Sequence, residues 1–332
     1  MELYNDYRKL PADAAECAVA IGSFDGLHLG HQLLLERTRA IAQQRGLRAA
    51  VLTFKPHPAR ALAPGLSPPL LMPYARKIQA LDNLGLDRLL VQRFTREFAV
   101  LSPKAFASEV LRGGLRARAV VVGDDFSFGH RGQGRPADLA ALGRQLGFEV
   151  EVVERLAVER MIASSTRIRS FLLQGRVRAA GLLLGRAYTI AGRVVTGAGR
   201  GRRIGCPTAN LATDSELLPA RGVYVCHVWA AGWPGGRLAV TNVGTNPTFG
   251  NGPQTVESHV LDLDQQLVDR NLALAFRERL RGEVKFGSAE ELMAQIERDV
   301  AQARELARAY PDSPRIDPAC GIELDTEPLW QG

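Results

Sequence analysis

Between Cys17 and Val153 the chain alternates between two hydrophobic periods, and this alternation restricts the fold more than any other feature of the sequence. Short β-branched and apolar runs at Cys17–Ile21, Arg48–Phe54, Arg88–Val91, Ala117–Val122 and Glu149–Val153 predict strands. Between them, Gly30–Arg45, Tyr74–Leu84, Ser102–Leu111 and Ala137–Leu146 carry helical spacing, and Ser102-Pro103 supplies a cap followed by proline at the first helical position. Strand and helix in strict alternation imply a parallel, doubly wound α/β sheet. In such sheets ligands bind beyond the carboxyl ends of the strands, so the segments after Ile21 and after Val122 are expected at one crevice.

The segment after Ile21 reads Gly22-Ser23-Phe24-Asp25-Gly26-Leu27-His28-Leu29-Gly30-His31. A strand, a glycine-rich turn and a helix start aim backbone N–H groups and the positive helix end at one point, which suits a phosphate. His28 and His31 lie three apart and face the same way, where imidazoles can donate to a phosphate whose negative charge grows during substitution. Ser164-Ser165-Thr166 can cap a helix through Leu173, stopped by Gly175. Residues Lys55 to Pro73 contain six prolines and are expected to form a long loop near the crevice mouth.

After Gly185 the texture changes. Ala187–Thr196, Gly222–Val228, Arg237–Val243 and Val256–Leu261 predict strands separated by Gly, Pro and Asn, as in an antiparallel barrel. Ser288-Ala289-Glu290-Glu291 reads as a capping box that starts an amphipathic helix reaching about Arg308, and the tail from Pro311 to Gly332 is expected to be loose. The stretch from Gly197 to Asn210 mixes glycines with Arg200, Arg202 and Arg203 and ends Gly205-Cys206-Pro207-Thr208-Ala209-Asn210, a second candidate phosphate site.

A chain of 332 residues with 46% hydrophobic and 23% charged residues suits roughly two folded domains. Cysteines at 17, 206, 226 and 320 show no metal-ligand or disulfide spacing, which fits a reducing cytoplasm. The acidic start, Met1-Glu2-Leu3-Tyr4-Asn5-Asp6, argues against a signal peptide, and no apolar run approaches the ~20 residues needed to cross a bilayer. The net charge of +7 favours anionic partners without choosing among nucleotides, nucleic acid and a membrane surface.

Gly-x-Phe-Asp-Gly-x-His-x-Gly-His after a strand resembles the signature of the nucleotidylyltransferase superfamily, and Ser164-Ser165-Thr166-Arg167-Ile168-Arg169 resembles its second motif. Thr53-Phe54-Lys55-Pro56-His57-Pro58, Val122 through Gly129 and Gly201 through Asn210 follow in the order of one family, and residues 15 to 305 resemble the bacterial bifunctional riboflavin kinase/FAD synthetases. The resemblance implies a Rossmann-like nucleotidylyltransferase domain over 1–184, a riboflavin kinase β-barrel with a terminal helix over 185–310 and a tail over 311–332. In the first domain it implies that Gly22, Phe24, His28 and His31 hold ATP phosphates while FMN attacks the α-phosphorus. Ser165, Thr166 and Arg169 would grip pyrophosphate, Asp125 would lie near nucleotide or metal, and Pro56, His57 and Pro58 near the flavin.

In the second domain the resemblance implies phosphorylation of riboflavin, with Glu257 as general base, Thr208 and Asn210 as ligands of a Mg2+ shared with ATP, and Gly197, Gly201, Arg202 and Gly205 at the phosphates. Asn242 through Phe249 would shape the wall of that site. The implied partners are the small molecules ATP, riboflavin and FMN, with FAD as product, and neither nucleic acid nor membrane. Two departures from the family pattern are Arg135-Pro136, where an acidic residue is common, and Cys206, where an aromatic is common. A different class of reading, a nucleic-acid or flavin-sensing binding module, rests on the +7 charge and on Arg200–Arg203. It lacks an aromatic and basic surface motif of an RNA-binding type.

Overall fold

The computed structural model describes residues 1–197, 205–245 and 254–309. The chain divides into two compact units, one formed by Met1–Pro69 with Arg76–Ala163, the other by Leu70–Ala75 with the residues from Ser164 onward.

The first unit is built on a six-stranded sheet of β1 (Glu2–Tyr4), β2 (Cys17–Ile21), β3 (Arg48–Lys55), β4 (Arg88–Arg93), β5 (Ala117–Gly123) and β6 (Glu149–Val153). The strand order is β1-β4-β3-β2-β5-β6, with every neighbouring pair parallel. The doubly wound sheet anticipated from the alternation is therefore the one observed. Only β1 was not legible: three residues at a sheet edge are too short for a pattern. The chain winds outward from β2 through β3 to β4, then returns to the other side of β2 as β5, so the direction of winding reverses between β2 and β5. Every residue of β2 is buried, as expected of a central strand with helices on both faces. Each large aliphatic side chain removed from water there contributes roughly 1.5–3 kcal/mol.

The connections are α1 (Leu29–Arg45), α2 (Pro58–Leu62), α3 (Tyr74–Asp82), α4 (Arg96–Ala99), α5 (Pro103–Ala105) and α6 (Pro136–Leu146), and after β6 a small hairpin pairs β7 (Ala157–Val158) with β8 (Met161–Ile162). Two expectations change. The proline-rich stretch from Lys55 is not a plain loop, because His57 caps α2 and Pro58 occupies a first-turn position, where a missing N–H is harmless. The helix expected over Ser102–Leu111 is a short α-helical start followed by a π-helical stretch, Phe106–Gly114. That stretch buries Phe106, Ala107, Val110 and Leu111 against the sheet.

The second unit opens with α7 (Ser165–Leu173) and α8 (Val177–Leu184) and continues into a closed barrel. Its strands are β9 (Tyr188–Val195), β10 (Ala209–Thr213), β11 (Gly222–Ala230), β12 (Arg237–Thr245), β13 (Gln254–Val260) and β14 (Asn271–Arg281), in the spatial order β10-β13-β12-β11-β14-β9. All of its pairings are antiparallel, as the turn-rich sequence predicts. Strands β10 and β14 were not read from the sequence, although β14 closes the barrel by pairing with both β11 and β9.

The terminal helix, α9 (Ala289–Ala309), begins as its capping residues require: Ser288 Oγ accepts the Glu291 N–H at 3.2 Å and Glu291 accepts the Gly287 N–H at 2.9 Å. It packs Val300, Ala303 and Leu306 on Val223, Val225, Leu238, Val240 and Leu280. A forked ion pair, Arg281 Nη2 to Asp299 Oδ2 at 2.7 Å and Nε to Oδ1 at 3.0 Å, ties β14 to this helix, and Gln295 donates to the same carboxylate. The tail expected over 311–332 lies outside the described residues.

Candidate active sites

In the first unit, Gly22 follows β2 directly and its N–H donates to the Leu52 carbonyl, fixing where the turn leaves the sheet. The turn is tightly wound: Phe24 and Leu27 take φ of +49° and +43°, Gly26 takes +79°, and the Phe24 and Leu27 side chains are fully buried. A non-glycine residue with positive φ is uncommon and is held in place by its surroundings. The Phe24 ring lies over Gly22 and meets His31 edge-on at 5.2 Å. Because that ring is buried, contact between residue 24 and a phosphate falls to its backbone.

His28 caps α1, its Nδ1 accepting the His31 N–H at 3.3 Å. An Nδ1 that accepts leaves the neutral ring's proton on Nε2, which is then a donor. The His28 and His31 rings stack at 3.6 Å with 18° between their planes. The turn and both imidazoles therefore converge at the start of a 17-residue helix, where the helix dipole favours an anion.

Two further segments leave the carboxyl ends of the strands flanking β2. On one side Asp125 follows β5, exposed, with its carboxylate beside Gly123 and its neighbour Asp124 paired to Arg155 at 3.0 Å. On the other, Pro56, His57 and Pro58 follow β3, with His57 Nδ1 accepting the Ala59 N–H at 3.2 Å. The glycine turn sits between them in sheet order, and the β2–β5 gap is the reversal point at which doubly wound sheets bind ligands.

In the second unit, Ser164 caps α7 by accepting the Arg167 N–H at 3.3 Å. Ser165 and Thr166 occupy the first helical positions, where backbone N–H groups lack helical partners, and Arg169 is nearly buried.

The barrel carries a polar row across three strands: Asn210 on β10 stands opposite Glu257 on β13, and Glu257 stands opposite Asn242 on β12. Directly opposed residues share a sheet face. Val256, Ser258 and Val260 are buried while Glu257 alternates with them, so the row lies on the face away from the barrel interior. Inside, Ser258 and Thr241 hydroxyls bond at 2.9 Å.

Gly197 stands so near Asn210 that a Cβ there would lie 2.1 Å from the amide nitrogen, so only glycine leaves that amide its position. His259, two residues beyond Glu257, bonds through Nδ1 to the Pro207 carbonyl at 2.9 Å and tethers the segment carrying exposed Thr208. Sequence reasoning missed this contact, since nothing local to His259 points 52 residues back. Gly205 is exposed with φ of +74°. Gly201 and Arg202, with Arg200, Arg203 and Asn246 through Phe249, lie outside the described residues.

A parallel sheet with a glycine and histidine turn at its reversal point, and a barrel bearing a carboxylate between two amides, are arrangements suited to a protein that transfers phosphoryl or nucleotidyl groups. Family models agree: one described as FAD synthetase matches residues 10–167 and one described as riboflavin kinase matches residues 184–307. Among curated relatives, the bifunctional riboflavin kinase/FMN adenylyltransferase of Escherichia coli K12 is 37% identical over 87% of this chain and 92% of its own length. That of Pseudomonas fluorescens is 37% identical over 92% and 98%, and that of Bacillus subtilis 35% over 91% and 96%. A crystal structure described as a macrolide-efflux protein from Streptococcus pneumoniae superposes with a TM-score of 0.81 at 30% identity, covering 91% of this chain and 98% of that one. No helix among the described residues is long and apolar enough to cross a membrane. The chain belongs to the family of bifunctional riboflavin kinase/FMN adenylyltransferases.

Proposed function

We propose that this chain makes FAD from riboflavin in two ATP-dependent steps, with adenylyl transfer centred on the His28/His31 turn and phosphoryl transfer on the Glu257 row. As a family member it is a transferase with both activities. The observation that carries the assignment of centres is the glycine and histidine turn at the β2–β5 reversal point, with the carboxylate and amide row on a separate barrel.

In adenylyl transfer an FMN phosphate oxygen forms a bond to the α-phosphorus of ATP while the bond to the β-phosphate breaks, its electron pair leaving with pyrophosphate. No enzyme nucleophile is needed; positioning and charge stabilisation suffice. The Gly22 and Phe24 backbone and the start of α1 receive the phosphates, and the His28 Nε2–H together with His31 stabilises the charge that develops. Ser165, Thr166 and Arg169 are assigned to the leaving pyrophosphate, supported by their place in the first turns of α7, whose start is capped by Ser164. Asp125 is assigned to nucleotide or metal, and Pro56, His57 and Pro58 to the flavin, supported by their emergence beside β2.

In phosphoryl transfer the Glu257 carboxylate takes the proton of the riboflavin 5′-hydroxyl as that oxygen attacks the γ-phosphorus, and ADP leaves. Thr208 and Asn210 present neutral oxygen donors, and no group of three His, Cys, Asp or Glu side chains able to hold a metal is present among the described residues. That donor set fits Mg2+, which keeps water and shares phosphate oxygens rather than filling a protein cage. When bound it neutralises phosphate charge; Asn210 is held for the task by the space at Gly197, and Thr208 by the His259 tether. Gly205, Gly201 and Arg202 are assigned to the triphosphate. Free thiols at Cys17, Cys206 and Cys226 support a cytoplasmic setting. Incubation of the protein with riboflavin, ATP and Mg2+, followed by chromatography, tests the reading: FMN and then FAD are expected, and the absence of both overturns it.

A further inference from the structure

Behind the phosphate turn of the first unit lies a lysine that the chemistry above does not use. Lys77, on α3, is 4% exposed, and its Nζ donates to the Ser23 carbonyl at 2.9 Å and bonds Thr53 Oγ1 at 3.2 Å. Thr53, on β3, donates to the same Ser23 carbonyl at 3.1 Å. A single carbonyl inside the Gly22–Gly26 turn is therefore gripped from two elements at once.

Burying an ammonium group is expensive, and a helix facing a sheet has no packing need for one. Burial pushes the Lys77 pKa down to about 8, and the charge of Asp25, itself 2% exposed and part of the same turn, works against that fall. The residues that follow the gripped carbonyl show what the cost secures. Phe24 and Leu27 hold positive φ values of +49° and +43°, which side-chain-bearing residues adopt only when the surroundings impose them. Four residues further on, the His28 ring caps the helix and stacks on His31.

We propose that Lys77 is a positioning residue for adenylyl transfer: from beneath the turn it pins the Ser23 carbonyl, fixes the backbone that receives the ATP phosphates, and sets a positive charge under that polyanion. The proposal rests on the adenylyl-transfer reading of the turn. It distinguishes Lys77 from a packing residue, since an apolar side chain of similar length would fill the space yet supply neither the bond nor the charge. It also places Lys77 on the ATP side of the reaction, because the carbonyl it holds, that of Ser23, lies inside the Gly22–Gly26 turn.

The test measures FAD formation from FMN, ATP and Mg2+ by the full-length wild type, Lys77→Met and Thr53→Val, together with riboflavin phosphorylation by each. A Michaelis constant is independent of the fraction of active protein, so partial misfolding does not imitate the effect. Lys77→Met is expected to raise the KM for ATP at least tenfold and Thr53→Val about threefold, with the KM for FMN and the riboflavin kinase constants within twofold of wild type. Wild-type ATP KM values in both variants, or equal rises for ATP and FMN, overturn the proposal. Should Lys77→Met fail to fold, Thr53→Val decides alone. A wild-type protein that makes no FAD defeats the adenylyl-transfer reading itself, and this inference with it.

Discussion

The two centres are built in opposite ways. In the α/β unit the residues assigned to adenylyl transfer hang on a turn with buried supports: β2 beneath it, Phe24 and Leu27 packed inward, and Lys77 and Thr53 bonded to its backbone. In the barrel unit the corresponding row of Asn210, Glu257 and Asn242 stands on the outer face, held by strand register and by contacts such as Gly197 to Asn210 and His259 to Pro207. Strain fixes the first site and register fixes the second. The first should therefore fail through loss of supports far from the chemistry, the second through changes in the row itself.

The largest expected effect is at the row. Glu257→Gln keeps the strand and loses the base, so riboflavin phosphorylation should fall about 10²–10⁴-fold in kcat while FAD formation from supplied FMN stays within twofold; an unchanged kinase rate would remove Glu257 from the mechanism. Next comes the barrel's own support. Asp299→Ala leaves Arg281 half-buried without its carboxylate and should cost the barrel unit roughly 2–4 kcal/mol, read as a lowered denaturation midpoint for kinase activity, whereas an unmoved midpoint would remove this ion pair from the barrel's support.

A smaller effect separates positioning from stability within the row. A Cβ at residue 197 would displace the Asn210 amide, a flexible group, so Gly197→Ala should leave the melting temperature within about 1 °C yet raise the Mg2+ requirement of the kinase several-fold. An unchanged requirement would detach Asn210 from the metal.

The smallest effect concerns the buried lysine. Its folded pKa of about 8 lies below the ordinary lysine value of 10.5, so between those pH values the unfolded chain binds more protons and the stability of the α/β unit gains from this group as pH rises. Lys77→Met should flatten that part of the stability profile measured by denaturant titration at pH 8 to 10, whereas an unaltered slope would mean that the lysine is not buried as a cation.

What the sequence disclosed follows the same division. Five strands of the sheet, β2 to β6, and the start of α1 were readable because each apolar run is bounded by glycine or a cap, and α9 because its Ser288 and Glu291 lie three apart. Strand β14 was not, since Asn-Leu-Ala-Leu-Ala-Phe-Arg-Glu-Arg-Leu-Arg is made largely of helix formers and becomes a strand only by pairing on both sides. Strand β10 escaped for a similar reason, with only five residues and no β-branched residue before Thr213. The motif residues could be found in the sequence; their supports could not, because Lys77 reads as one more helix-surface lysine until its place on the buried stripe with Ile78 and Leu81 is noticed. A lysine one turn from a leucine on an apolar helix face was the available signal.

The measurement that tests the two-centre account most directly is a chromatographic time course of flavins from riboflavin, ATP and Mg2+ with His31→Ala beside the wild type. The account predicts that wild type passes through FMN to FAD, whereas His31→Ala accumulates FMN at the wild-type rate and stops there. Loss of FMN formation in a folded His31→Ala protein, or undiminished FAD, would contradict it.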